Sequence, residues 1–451
     1  MNTIALPSDI VAQMKMLFDT HPLEGAGILL CRALHGPKGV RLLGFEFAAY
    51  DVADYLVQER DRLSIAPVAV NRFLQRAREQ SLCVVQVHTH PGSQHAGFSE
   101  VDDEGEHEMV PVIFRRAPGG PHGAIVLGTH TWAARIYTDP QTPAAARILE
   151  VGQDLQRLDL VSGESDQRFN RSALALGASG QAALRDLRVG VVGLGGTGSI
   201  AAQELAYLGV RDVAFIDPDV VEVTNLNRLV GATHADLGTP KVDVAAQRYR
   251  EVEPSATIAA HRGDVLDEQI ARTLFDRDIV LCCTDSQGSR ALLNWLAYQC
   301  FMPIIDMGVE ITAEAGAVIG IAGRVQLAGP GMPCLHCCNV VDLNALRVEL
   351  LSEEQRARDP YVVGEHVAQP AVISFNATMV SLAITMFMAM STSLPMRARM
   401  QTYYGLRGEV RSATASVKDG CPICSTQSEV YGRAESLVPM WRSALPAVAS
   451  R

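Results

Sequence analysis

His88 and His90 stand two residues apart at the end of the run CVVQVHTH (83–90), and Ser99 and Asp102 follow beyond a polar loop. Alternation by two at a strand end puts both imidazoles on one face. The Ser99–Asp102 spacing is one turn at a helix start, which brings those side chains together. Two imidazoles and a carboxylate are the donor set of a catalytic zinc that keeps its fourth position for water. Such a site needs a nearby carboxylate to take the water's proton, and Glu24 in HPLEGAGILL, at the head of an apolar strand-like run, is the candidate base. The Ser99 hydroxyl is then available to a tetrahedral oxyanion. A bare His-x-His is more often a polar strand end. Here Pro91, Ser99, Asp102 and the upstream Glu-Gly-x-Gly favour chemistry, while His95 and His107 read as ordinary polar residues.

A second set lies further along. Gly193, Gly195, Gly196 and Gly198 end the apolar strand LRVGVVGLGG (187–196) and open the helix SIAAQELAYLG (199–209). Backbone N–H groups at such a helix start can hold phosphates. The pattern alone also fits a dehydrogenase, with Asp217 after the next strand as the ribose ligand. More specific are Asp217-Pro-Asp219, TNLNR (224–228), Gly238-Thr-Pro-Lys241 and CCTDS (282–286). Lys241 is one of four lysines, against 35 arginines, so its place is informative. The third set is two Cys-x-x-Cys pairs, Cys334/Cys337 and Cys421/Cys424. Each pair can give two thiolates to one closed, structural zinc if the fold brings them together. Cys338 is an extra thiol beside the first pair. Cys31, Cys83, Cys282, Cys283 and Cys300 lie in apolar runs and read as core.

The elements that must position these groups are legible as pattern. AIVLGTHTWAARIY (124–137), broken at Gly128, reads as strand, and residues 139–167 read as a linker with a helical middle. From 168 the pattern alternates: strands in 187–196, 212–219, 278–285 and 302–310, and helices in 199–209 and 242–252. That is βαβ logic and a parallel doubly wound sheet. The stretch Val367 to Met396 has no charge, but its Ser, Thr, Asn and Gln content suits a buried helix better than a membrane span. Of 451 residues, 48% are apolar and 20% charged, as in an ordinary globular chain. The net charge of −11 argues against binding nucleic acid or an anionic membrane. MNTIALPSDI shows no secretory signal, and ten cysteines are too few for a disulfide scaffold, so a reducing cytoplasm is expected.

HTHP with its following Ser-x-x-Asp resembles the JAMM (JAB/MPN) metalloprotease signature over roughly residues 1–138. Members cleave peptide or isopeptide bonds after ubiquitin-like proteins. The resemblance implies His88, His90 and Asp102 as zinc ligands, Glu24 as general base and Ser99 as oxyanion donor. Eight residues separate His90 from Ser99 where many members have seven; a longer loop absorbs the extra one, and Asp103 is the weaker rival to Asp102.

The glycine loop and its distant partners resemble the ubiquitin-activating-enzyme superfamily, with its bacterial ThiF/MoeB-type adenylyltransferases. The match runs from Arg168 to about Cys424, with RFNRSALALGASGQAAL (168–184) as an opening segment. The family uses ATP and Mg2+ to adenylate the terminal Gly-Gly carboxylate of a ubiquitin-like protein. By resemblance Asp217 binds ribose and Asn225, Arg228 and Lys241 contact phosphates. Asp285 positions Mg2+, and Arg171 reaches the γ-phosphate across a homodimer. The family also pairs its Cys-x-x-Cys motifs in this order around zinc.

The expectation is therefore an α/β chain. Residues 1–138 form an α+β JAB/MPN-like peptidase and 139–167 a linker. Residues 168–430 form a Rossmann-like adenylation domain with a four-cysteine zinc site, and 431–451 a loosely packed tail. The expected partners are a β-grasp ubiquitin-like protein, a second copy of the chain, and a downstream conjugating or sulfur-transfer protein. Rival readings are an enzyme adenylating a small peptide and a modifier-binding scaffold with degenerate sites. Many activating enzymes carry a cysteine nucleophile in the crossover stretch. Here Val367 stands about where it would fall, so the reaction is expected to stop at the acyl-adenylate, with Cys338 the nearest alternative thiol.

Overall fold

Strands that are apolar on both faces build the first unit of the computed structural model, which describes residues 2–160, 166–351 and 370–433. The chain divides into two units, Met1–Gly163 and Glu164–Tyr431. The first contains β1 (Asn2–Pro7), α1 (Ser8–Lys15), β2 (Ala26–Gly36), β3 (Gly39–Ala49), β4 (Tyr55–Gln58), β5 (Leu63–Ile65) and α2 (Pro67–Gln80). Then follow β6 (Cys83–Thr89), α3 (Glu100–Arg116), β7 (His122–Leu127), β8 (Trp132–Tyr137), β9 (Pro143–Val151) and β10 (Leu155–Arg157). The main sheet runs β1-β3-β2-β6-β7-β8-β9-β10, and a further β1–β9 pairing closes it on itself. Side-chain alternation sorts the core. Leu29, Val85 and Val87 join α1's Ile10, Val11 and Met14 on one face. Ile28, Leu30 and Val84 join Val70, Leu74 and Ala77 of α2 and Ile113 of α3 on the other.

One expectation fails here. Residues 139–167 are not a linker with a helical middle, because PAAARILEV is strand β9, paired with both β8 and β1, and β10 folds back onto it. The alanines favour a helix, but Ile148, Leu149 and Val151 are fully buried between two strands, and that packing overrides the local preference.

The second unit contains α4 (Asn170–Asp186), β11 (Arg188–Val192), α5 (Gly196–Leu208), β12 (Asp212–Asp217), α6 (Lys241–Val252), β13 (Thr257–Arg262), α7 (Glu268–Arg272) and β14 (Ile279–Cys282). After these come α8 (Gln287–Gln299), β15 (Ile304–Glu314), β16 (Ala317–Ala328), α9 (Leu343–Leu350), α10 (Ile373–Ser391), β17 (Met400–Tyr404) and β18 (Glu409–Ser412). The sheet order is β13-β12-β11-β14-β15-β16-β17-β18. The first five strands are parallel, so the sheet switches direction of growth between β11 and β14. Ligands of such sheets bind at the carboxyl ends of strands beside that switch point. Helix α10 is long and apolar enough to cross a membrane, yet half of it is buried within the unit. Its Met379, Val380, Ala383 and Phe387 are buried, and Met379 packs on Gly323 of β16. Tyr431, where a loosely packed tail is expected to start, is buried with its ring edge-on to Phe301. Residues 434–451 and Val367 lie outside the described residues.

Candidate functional sites

In the first unit the end of β6 and the start of α3 meet. Nε2 of His88 lies 3.2 Å from Nε2 of His90 and 2.9 Å from Oδ1 of Asp102, and His90 Nε2 lies 3.4 Å from Asp102 Oδ2. Ligands at zinc's ~2.0–2.1 Å bond lengths on a tetrahedron stand about 3.3 Å apart, so these residues could hold such an ion. Asp103 turns away from the histidines to Arg135. Ser99 is the N-cap of α3. Its hydroxyl donates to Asp102 Oδ2 at 2.8 Å, and its N–H donates to the same oxygen at 2.6 Å. Burial alone would raise the Asp102 carboxyl. Hydrogen bonds from His88, His90 and the Ser99 N–H hold it instead well below the usual carboxylate range.

Glu24 sits just before β2, buried, with Oε1 3.9 Å from His90 Nε2. Burial pushes its carboxyl up to about 7, against the pull of His88 and His90. The β4–β5 hairpin fixes its backbone, a support no sequence spacing announced. Glu24 N–H donates to Glu59 O at 2.8 Å, Gln58 Nε2 donates to Glu24 O at 2.9 Å, and the Tyr55 hydroxyl accepts from Ala26 N–H. His95 meets Thr131 and is no part of the cluster.

In the second unit the glycine loop crosses the switch point. Gly193 has φ +86°, and a Cβ there would press on Cys283 O. A Cβ on Gly198 would fall 1.8 Å from Gly193 O, so the close turn requires glycine at both positions. Leu194 N–H donates to Asp217 Oδ2 at 2.6 Å and Asp219 N–H to Asp217 Oδ1 at 2.8 Å. Asp217 thus ties the loop to the end of β12, and burial raises its carboxyl. Lys241 Nζ donates to Asp219 Oδ2 at 2.8 Å, and Arg228 passes close to Gly196. Gly195 has open space where a side chain would be. Asn225 caps its own short turn through Glu222 N–H. Asp285 stands exposed just after β14, on a turn held to the glycine loop through Thr197 and Cys283 O. Arg171 is exposed on the first turn of α4.

Sequence reading missed the residues that brace this loop. Arg290 of α8 donates to Thr284 O at 3.0 Å and to buried Asp306 at 2.7 Å, and Arg324 binds the other Asp306 oxygen. The Glu349 carboxylate accepts from the Ser286 hydroxyl and the N–H groups of Gln287 and Gly288, capping α8 beside Asp285. Asn376 of α10 presses on Gly196. Glu349 and Asn376 are remote in sequence from what they hold, and Arg290 reaches back six residues to Thr284 from the next helix.

The cysteine pairs meet. Cys334 Sγ lies 3.7 Å from Cys421 Sγ, and Cys337 Sγ 3.5 Å from Cys424 Sγ, all four buried. Thiolates at ~2.3 Å from zinc on a tetrahedron stand about 3.8 Å apart, so this cluster too could hold a metal. Cys338 is not among these four; its sulfur accepts from Gln326 Nε2 at 2.9 Å and its thiol is raised by burial.

Two family models match the chain: the ThiF family over residues 169–423 and the prokaryotic homologs of the JAB domain over residues 7–138. The adenylyltransferase and sulfurtransferase uba4 of Aspergillus terreus is 33% identical over 196 residues, 43% of this chain and 40% of that protein. The molybdopterin-synthase adenylyltransferase of Escherichia coli K12 is 33% identical over 180 residues, 38% of this chain and 69% of that protein. The chain thus spans well under half the length of its uba4 relatives. The solved structure of E. coli MccB with ATP aligns with 58% of this chain and 75% of that one, at 18% identity and a TM-score of 0.44.

Proposed function

The chain belongs to the ThiF family, and we propose that its second unit adenylates the terminal glycine carboxylate of a ubiquitin-like, β-grasp protein while its JAB-type unit is a zinc peptidase acting on the same protein. The observation that carries the reading is the convergence of the glycine loop, Lys241 and the turn before Asp285 at the carboxyl ends of β11, β12 and β14.

In this reading a carboxylate oxygen of the carrier attacks the α-phosphorus of ATP. The new C–O–P bond forms as the bond to the β-phosphate breaks, and pyrophosphate leaves. Asp217 orients the ribose, the glycine-loop N–H groups hold phosphate oxygens, and Asn225, Arg228 and Lys241 stabilise the charge they carry. Asp285 would hold Mg2+, which would further neutralise that charge. Arg171 serves the γ-phosphate of a partner copy in a homodimer. The reaction stops at the acyl-adenylate, because Cys338 is half-buried and its thiol raised, and a downstream conjugating or sulfur-transfer protein collects the carrier.

In the first unit His88, His90 and Asp102 would hold a zinc ion, which would supply Lewis acidity to the scissile carbonyl. Glu24 takes a proton from the attacking water and returns it to the leaving amine, and the Ser99 hydroxyl donates to the developing oxyanion. The zinc on the four cysteines is structural. The low cysteine content, too sparse for a disulfide scaffold, suits a cytoplasmic enzyme. The test is mass spectrometry of a β-grasp carrier after incubation with the chain, ATP and Mg2+. An adenylyl adduct on a carrier ending in Gly-Gly supports the reading, and an adduct on a short peptide instead replaces the carrier with a peptide substrate.

A further inference from the structure

Helix α3 carries Asp102 on its first turn, yet that end of the helix has no apolar anchor. Val101 is 55% exposed, Asp103, Glu104, Gly105 and His107 are exposed, and the buried hydrophobic residues of α3, Val110 and Ile113, come later. The one buried side chain in the first two turns is the carboxylate of Glu106. A helix whose buried apolar anchors all lie in its far half can tilt, and a tilt carries Asp102 away from His88 and His90.

What holds it is a polar clamp from β8. Arg135 Nε donates to Glu106 Oε2 at 2.7 Å, and the Tyr137 hydroxyl donates to the same oxygen at 2.5 Å. Arg135 Nη1 donates to Asp103 Oδ1 at 2.6 Å, and the guanidinium lies 3.8 Å from the centre of the Phe98 ring. Arg135 and Tyr137 share one face of the strand, and Asp103 and Glu106 are neighbours on the helix. The contacts of Arg135 therefore bracket the functional pair: Phe98 precedes Ser99, and Asp103 and Glu106 follow Asp102.

We infer that Arg135, with Tyr137 beside it, is the positioning residue of this centre: it seats Ser99 and Asp102 against His88 and His90 without touching any reacting group. Lysine cannot replace it, because one ammonium cannot stack on Phe98 and bond two carboxylates in a plane. The inference rests on reading the first unit as a metal site, and Arg135→Lys and Tyr137→Phe test it in the full-length chain.

Two readouts are taken. Amide hydrogen exchange of residues 100–105 reports seating without metal. Competition of zinc with a chromophoric chelator reports the consequence. Arg135→Lys is expected to speed exchange in 100–105 and to weaken the His/His/Asp site about tenfold or more, as loss of an outer-shell partner does. The four-cysteine zinc and the melting temperature should stay as in the parent. Tyr137→Phe should show the same pattern at a few-fold and is the variant read if Arg135→Lys does not fold. Parental exchange or parental zinc affinity in a folded variant overturns the inference. If the parent chain takes no zinc at His88, His90 and Asp102, the metal reading has failed, and the exchange experiment alone then decides whether Arg135 seats the helix.

Discussion

Lys241 Nζ lies 2.8 Å from Asp219 Oδ2, joining a lysine that is 9% exposed to an aspartate that is 61% exposed. The pair spans the end of β12 and the start of α6, and Asp219 itself leans on Asp217 through its N–H. The cation is thus held at the strand ends while its partner stays in water. Lys241→Ala should lower ATP–pyrophosphate exchange by about 10²–10³, the usual cost of deleting a group that stabilises developing charge. Its melting temperature should change little, since Asp219 remains solvated. Asp219→Asn should act mainly on the KM for ATP. Full exchange by Lys241→Ala would place the phosphates elsewhere.

Glu24 stands beside the His88–His90–Asp102 cluster, its Oε1 3.9 Å from His90 Nε2. Glu24→Gln should therefore abolish cleavage of a carrier extended beyond Gly-Gly while two zinc ions per chain remain. His88→Ala should lose one ion, and the ion remaining on the four cysteines should resist chelators. Equal zinc loss in both variants would make Glu24 a ligand.

One histidine should cost the first unit stability in mild acid, against the opposite effect of Glu24, whose raised carboxyl takes up its proton first in the native state. His122 is fully buried, with Nδ1 accepting from Val84 N–H and Nε2–H donating to Ala117 O. Burial lowers its pKa to about 4 from an ordinary 6.5. The unfolded chain thus takes up a proton below about 6.5 that the native state refuses until about 4. The stability His122 confers is complete above 6.5 and declines as pH falls to about 4, by roughly 3 kcal/mol at most. Melting curves at pH 7.5, 6 and 5 should show a smaller decline in His122→Gln than in the parent, and equal slopes would remove His122 as the cause.

Cys338 should not carry the carrier. A non-reducing gel of chain, ATP, Mg2+ and carrier should show no thiol-sensitive adduct. An adduct that vanishes in Cys338→Ala would make Cys338 the nucleophile after all.

How much of this was legible follows from range in sequence. His88, His90, Ser99 and Asp102 lie within one strand–loop–helix, so local periodicity placed them, and the glycine loop announced its own strand and helix. The cysteine pairs were legible because Cys-x-x-Cys is a local signal, although only the fold brings Cys334 to Cys421. Residues that hold the sites from another element carry no local mark. Arg135, Arg290, Glu349 and the β4–β5 hairpin are of this kind, each an ordinary polar residue or short strand until the partner is seen. The misread linker fails for the related reason that an alanine-rich segment reveals its strand only when β1 and β8 flank it.

The central claim is adenylation of a protein carboxylate, and carrier-dependent ATP–pyrophosphate exchange measures it most directly. Exchange should appear with a β-grasp carrier ending in Gly-Gly, vanish when the final glycine is removed, and vanish with Asp285→Ala. Single Arg171→Ala and Asp285→Ala chains should partly recover it when mixed. Exchange that proceeds equally without any carrier, or that survives Asp285→Ala, would contradict the account.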